Sequence, residues 1–234
     1  MIDTILIDLD GTLLPMDTDE FTRVYFTELV KKMVPLGYDK DAVITAVYAG
    51  TSAMIKNDGS RTNRERFWDV FAEHLGENVR DTEDMFQNFY ANEFNAAKSV
   101  MQPSDAPQRL IELVRERGYS LVLATNPLFP RVAIRTRLDW IGVEPEAFDL
   151  VTSYESSRYC KPNPEYFRAL LERLGKTPEQ CLMIGNNVEE DMCARSLGVS
   201  VFLLTDFLEN KKGADFSAFP HGDMPQLMEY IRAL

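Results

Sequence analysis

The chain has 234 residues, of which 45% are hydrophobic and 26% charged, an ordinary composition for a folded domain with enough length for a proper core. Its 25 basic residues against 37 acidic ones leave a net charge of −12, so it offers no basic footprint to nucleic acid. His74 and His221 are the only 2 histidines, which excludes a three-histidine zinc site. The scattered Cys160, Cys181 and Cys193 point to free thiols in a reducing cytoplasm.

The first run, Thr4 to Asp10 (TILIDLD), is apolar and partly β-branched, and its pattern predicts a buried strand ending in Asp-Gly. The start lacks a basic n-region and a cleavage site, so no signal peptide is expected there. No apolar run approaches the ~20 residues of a membrane span. From Pro15 to Val100 the patterns are helical and consecutive: EFTRVYFTELVKKMVPLG, DKDAVITAVYAGTSAMIK, TNRERFWDVFAEHLG and TEDMFQNFYANEFNAAK. A crossover between parallel strands needs only about a dozen residues. Residues 16–100 therefore predict an inserted helical domain, and residues 1–15 with 101–234 the domain that carries it. The aromatics Phe21, Tyr25, Phe26, Phe67, Trp68 and Phe71 fall at helical spacing in the insert and predict its own core.

Beyond residue 100 the rhythm changes. DAPQRLIELVRERG predicts a helix stopping at Gly118, and YSLVLATN a strand from Tyr119 to Asn126. FDLVTS (Phe148 to Ser153) is a shorter strand, and NPEYFRALLERLG a helix stopping at Gly175. CLMIGN (Cys181 to Asn186) is a strand, VEEDMCARSLG a helix stopping at Gly198, and VSVFLLT (Val199 to Thr205) a last strand. Alternation of this kind predicts βαβ units and a parallel α/β sheet.

Four predicted strand ends carry polar groups. Asp8 and Asp10 stand two apart in DLDGT, where two close carboxyls push their proton affinities apart, as a nucleophile and a general acid require. Thr125 and Asn126 end LATNP, where a hydroxyl and backbone N–H groups can form an anion-binding corner. Lys161 is followed by Pro162 and Pro164, which stiffen its loop, and a placed ammonium suits phosphate charge. The stretch Gly185 to Asp191 ends in three acids, Glu189, Glu190 and Asp191. Taken singly, each has a plainer reading: an Asp-Gly turn, a helix cap, a surface lysine, and acids favouring a helix dipole.

In this order, the four strand ends resemble the four motifs of the haloacid dehalogenase-like hydrolase superfamily, and the insert resembles that superfamily's C1 cap. The resemblance implies a doubly wound, Rossmann-like core with an inserted all-helical cap. It implies Asp8 as a nucleophile that forms an aspartyl-phosphate and Asp10 as the general acid and base. Thr125, Asn126 and Lys161 would hold phosphate, and Mg²⁺ would be bound by Asp8, Asp10, Asn186 and Asp191. The expected activity is hydrolysis of a small phosphorylated metabolite in the cytoplasm, without nucleic-acid or membrane partners. A phosphomutase of the same fold, or a weakened member that only binds, are the alternatives. The chain departs from the pattern at Asn186, where the family usually has an acid. One charge fewer beside the metal should weaken Mg²⁺ binding, and Asn186→Asp should tighten it. In the insert, Lys56, Arg61 and Arg64 are the expected substrate contacts.

Overall fold

Ile5 and Ile7 face one side of the central sheet and Leu6 the other, because strand side chains alternate. All three have no exposed surface, which is why the run reads as continuously apolar. In the computed structural model, which describes residues 1–234, the strands are β1 (Thr4–Ile7), β2 (Ser120–Leu123), β3 (Leu150–Val151), β4 (Cys181–Gly185), β5 (Ser200–Leu204) and β6 (His221–Gly222). They form one parallel sheet in the order β3-β2-β1-β4-β5-β6. The order reverses at β1, which pairs with β2 on one side and β4 on the other. In such sheets the crevice for a ligand opens beyond the carboxyl ends at that reversal.

Four helices lie between β1 and the rest of the sheet domain: α1 (Thr18–Met33), α2 (Lys40–Ile55), α3 (Asn63–Leu75) and α4 (Glu83–Ala91). The other four are α5 (Ala106–Glu116), α6 (Arg131–Trp140), α7 (Pro164–Leu174) and α8 (Met224–Ala233). Starts are set locally. Asp17 caps α1 by accepting from Glu20 N at 2.9 Å, Thr62 and Glu65 form a capping box on α3, and Asn163 with Pro164 opens α7. No helix is long and apolar enough to cross a membrane.

One apolar cluster of 42 buried residues joins Phe21, Trp68, Phe71 and Phe94 of the insert to Leu110, Leu138, Ile5 and Ile184 on one sheet face. A second, of 15, joins the other face to α7 through Leu6, Val122, Phe167 and Leu171. Of the insert's aromatics, Phe21, Tyr25, Trp68 and Phe71 are buried and Phe26 and Phe67 half-buried, and their cluster is continuous with the sheet's and not separate from it. Phe129, just before α6, meets Phe21, Tyr25, Tyr90 and Phe94 at ring-centroid distances of 5.7–6.2 Å.

Three expectations need correction. The helix expected after β4 is a short 3-10 stretch, Met192–Leu197. Asn187 Oδ1 accepts from Glu189 N and Glu190 N, and Asp191 Oδ2 accepts from Asn187 N, so side chains hold this turn in place of a helical ladder. The sequence after Asn126, where LATNP suggests that a helix follows the strand at Pro127, instead runs as a loop to Pro130, and the helix begins at Arg131. The last insert helix breaks at Asn92, whose side chain bonds back to Asn88 O at 2.8 Å, and continues as a 3-10 stretch, Glu93–Val100. The sequence pattern did not mark β6, which is only two residues long.

Candidate active site

Asp8 leaves the end of β1 with its N–H still bonded to Ile184 O of β4 at 2.9 Å. Three residues on, Gly11 adopts φ +77°, and a Cβ there would collide with the side chain of Asn186. Gly185 is confined in the same way, since its Cβ would collide with the Asp191 carboxyl. Gly11 thus lets the β1 loop close on the end of β4, and Gly185 lets the loop after β4 fold back on its own strand.

Lys161 joins these ends. It has no exposed surface, and its Nζ donates to Asp8 Oδ1 at 2.9 Å and to Asp191 Oδ1 at 2.6 Å. Burial works against its charge, but the two carboxylates, Asp191 first, outweigh burial and hold its proton affinity well above the ordinary value. Asp191 is raised by burial, with Lys161 opposing and the Asp8 charge adding to the rise. The remaining Asp191 oxygen accepts from Asn187 N at 3.0 Å.

Asp10 points to a second buried cation. Its Oδ2 accepts from Nη1 of Arg137, a fully buried residue of α6, while its Oδ1 is buried and has no partner. Arg137 also donates from Nε to Ala133 O at 3.2 Å and lies 4.4 Å from the centroid of the Phe129 ring. Burial raises the Asp10 carboxyl above its ordinary value, Arg137 opposes the rise and Asp8 adds to it.

At the end of β2, Thr125 O accepts from Thr152 Oγ1 at 2.8 Å and from the Tyr166 hydroxyl at 3.0 Å, which fixes the turn. Asn126 accepts from Lys161 N at 3.2 Å and donates to Glu190 Oε2 at 2.8 Å. Asn186 Oδ1 accepts from Thr12 Oγ1 at 3.0 Å, and its Nδ2 donates to Phe207 O at 2.6 Å. These bonds orient the amide with its oxygen toward the β1 loop.

Asp8, Asp10, Thr125, Asn126, Asn186 and Asp191 line one cavity of about 260 Å³. Its upper wall comes from the insert, with Phe21, Tyr25, Phe67, Trp68 and Phe86 among its lining. The structure thus brings the expected strand-end residues together, with Lys161 beneath them. Lys56, Arg61 and Arg64 are not brought there. Lys56 is exposed at the end of α2. Arg61 pairs with Asp69 at 2.5 Å, and Arg64 makes a two-point pair with Glu83 at 2.7 and 2.6 Å. Their charges are spent on neighbouring carboxylates of the insert itself.

Sequence reasoning missed Arg137 and Glu209. Arg137 stands within the apolar stripe Ala133, Ile134, Leu138 of α6, and a charge in such a stripe is the signal that could have marked it. Glu209 reaches the cavity from the loop after β5 and accepts from Asn187 Nδ2 at 2.9 Å. Glu190 also lines the cavity. Burial foremost, and then the Asp191 charge, push its carboxyl up to about 7.

A family model described as haloacid dehalogenase-like hydrolase matches residues 2–198. The chain is 23% identical over 197 residues to pyrophosphatase PpaX of Bacillus velezensis, covering 84% of this chain and 80% of that one. It is 24% identical over 236 residues to glyceraldehyde 3-phosphate phosphatase of Methanocaldococcus jannaschii, covering 100% and 99%. Its fold is similar to that of β-phosphoglucomutase from Clostridium difficile, with a TM-score of 0.60, 18% identity and 100% and 96% of the two chains covered.

Proposed function

The chain belongs to the haloacid dehalogenase-like hydrolases, and from that premise we propose that it is a Mg²⁺-dependent phosphatase of a small phosphorylated metabolite, with residues 16–100 as the cap over the site. The observation that carries this reading is the Lys161 bridge between Asp8 and Asp191 on the floor of a cavity that Asp10 also reaches. We place it in the cytoplasm because its three cysteines are free.

The residues present fit a divalent cation. Five carboxyls, those of Asp8, Asp10, Glu190, Asp191 and Glu209, line the cavity, against two buried cations, Lys161 and Arg137. Asp10 Oδ1 is buried without a partner, and Lys161 engages only one oxygen of Asp8. Oxygen-rich, negatively charged surroundings of this kind suit Mg²⁺, which keeps several waters. No three His, Cys, Asp or Glu side chains form a cage by themselves, so backbone and amide oxygens must complete the set. Asp8, the Asp10 carbonyl and the Asn186 amide oxygen would hold the ion. Asp191, with both oxygens engaged, would act through Lys161 or through water. When bound, Mg²⁺ supplies charge neutralisation for the phosphoryl oxygens.

The chain's own residues then divide the work. Thr125, the Asn126 backbone and Lys161 hold the phosphate. An Asp8 carboxylate oxygen attacks phosphorus as the bond to the organic oxygen breaks, giving an aspartyl-phosphate. Asp10 gives its proton to the departing oxygen and later takes one from the water that attacks the same phosphorus. Phosphate leaves and Asp8 is restored. Lys161 keeps Asp8 aimed through its hydrogen bond to Oδ1, and the aromatic wall above excludes bulk water. The test is phosphate release from p-nitrophenyl phosphate with and without Mg²⁺. Release that needs both Mg²⁺ and Asp8 supports the reading, and release unaffected by Asp8→Asn refutes it.

A further inference from the structure

The cavity wall has a chemical character of its own. None of the 25 residues lining the cavity is Lys, Arg or His. The two cations nearby, Lys161 and Arg137, have no exposed surface and are committed to carboxylates on the floor. The basic residues of the nearby insert loop are paired elsewhere or exposed, as described above. Above the floor the wall is mainly aromatic, broken by the hydroxyl-bearing Thr18, Thr22 and Thr51. Phe26 and Tyr48, whose rings lie 4.9 Å apart, stand at one edge, where Tyr48 is 56% exposed.

The geometry points to a substrate class: a phosphate monoester whose organic part is neutral and largely apolar, of ring size, without a second anionic group. This inference rests on the phosphatase reading of the floor and adds what the walls select. A phosphate on the floor would lie against Thr125 above the charge of Lys161, where Mg²⁺ would add its own charge neutralisation. A second phosphate or a carboxylate on the same molecule would rise into a wall with no cation and with Glu190 and Glu209 near its base. It would lose its water there and find only neutral hydroxyl and indole donors, with no cation to offset its charge. An apolar ring has the opposite balance, because aromatic faces replace its water favourably. Size agrees. A cavity of about 150 Å³ encloses benzene, and this one, at about 260 Å³, has room for a ring and the phosphate. The wall therefore disfavours pyrophosphate and carboxylated phosphates alike.

The test is calorimetry on the full chain with saturating Mg²⁺, using phenylphosphonate and phosphonoacetate. Neither is hydrolysed, so leaving-group chemistry does not enter, and binding is read apart from turnover. Phenylphosphonate is expected to bind at least tenfold more tightly. Tyr48→Arg, a change at a half-exposed position, should shrink that ratio at least threefold by giving the carboxylate a partner. Equal or tighter binding of phosphonoacetate to the wild type overturns the inference, and so does binding of neither ligand. A ratio unchanged in a folded Tyr48→Arg variant that binds both also counts against it. Failure of the phosphatase reading shows separately, as no phosphate release from p-nitrophenyl phosphate while the phosphonate preference stands.

Discussion

Arg137, fully buried in α6, donates to the Asp10 carboxylate across the floor of the cavity, and Phe129 covers the guanidinium. The pair ties the β1 loop to a helix of the sheet domain and leaves the other Asp10 oxygen facing inward without a partner. Removing one member leaves the other charge buried and alone. Arg137→Met is expected to destabilise the protein by roughly 2–4 kcal/mol and to lower kcat more than it raises KM, because Asp10 loses its aim. Urea denaturation and steady-state kinetics check both, and an Asp10→Asn, Arg137→Met double variant should lose less stability than the two single changes summed.

Asn186 gives a different answer in the structure than in the sequence. An aspartate there still supplies the charge that should tighten Mg²⁺ binding. The Asn186 amide, however, donates to Phe207 O at 2.6 Å, and a carboxylate oxygen in that place would face a carbonyl. Asn186→Asp is therefore expected to destabilise the metal-free protein by about 1–3 kcal/mol, with added Mg²⁺ recovering part of the loss. Thermal unfolding in chelator and in Mg²⁺ measures both halves. A variant as stable as wild type in chelator would contradict this account of Asn186.

Glu190 supplies a pH signature. Its carboxyl is raised from 4.5 to about 7, chiefly by burial. Between those two values the native state holds more of this proton than the unfolded chain does. Stability from this group therefore falls as pH rises through the window, and the full penalty is present above about 7. In chelator, Glu190→Gln is expected to match wild type near pH 4.5 and to exceed it by about 1–2 kcal/mol at pH 8. Urea titrations at the two pH values test this, and an unchanged difference between them would contradict it.

The strand ends were legible because each is an apolar run halted by a polar pair, and burial on both sheet faces makes such runs unmistakable. Asp8, Asp10, Thr125, Asn126, Asn186 and Asp191 reach one cavity for that reason. What was not legible depends on pairing between distant residues. Arg137 and Asp10 are 127 positions apart, and nothing local in either stretch names the other. Lys56, Arg61 and Arg64 looked available because the carboxylates that neutralise Arg61 and Arg64, Asp69 and Glu83, come from elsewhere in the insert. The stretch after β4 read as a helix because its composition permits one, while Asn187 and Asp191 use their side chains to hold a turn instead.

Lys161 separates two carboxylates that would otherwise face each other in a buried floor. Lys161→Met is expected to destabilise by roughly 3–5 kcal/mol and to abolish measurable turnover. An Asp191→Asn change in the same chain should restore part of the stability without restoring turnover. Chemical denaturation of the single and double variants, beside phosphate release, distinguishes the structural from the chemical contribution.

The central claim is that Asp8 takes the phosphoryl group. Its most direct measurement is the rate of phosphate release from p-nitrophenyl phosphate by wild type and by Asp8→Asn in saturating Mg²⁺, with both proteins shown to be folded by thermal unfolding. The account predicts that the substitution lowers the rate by roughly 10³-fold or more. Equal rates from the two proteins, or a folded wild type that releases no phosphate, would contradict it.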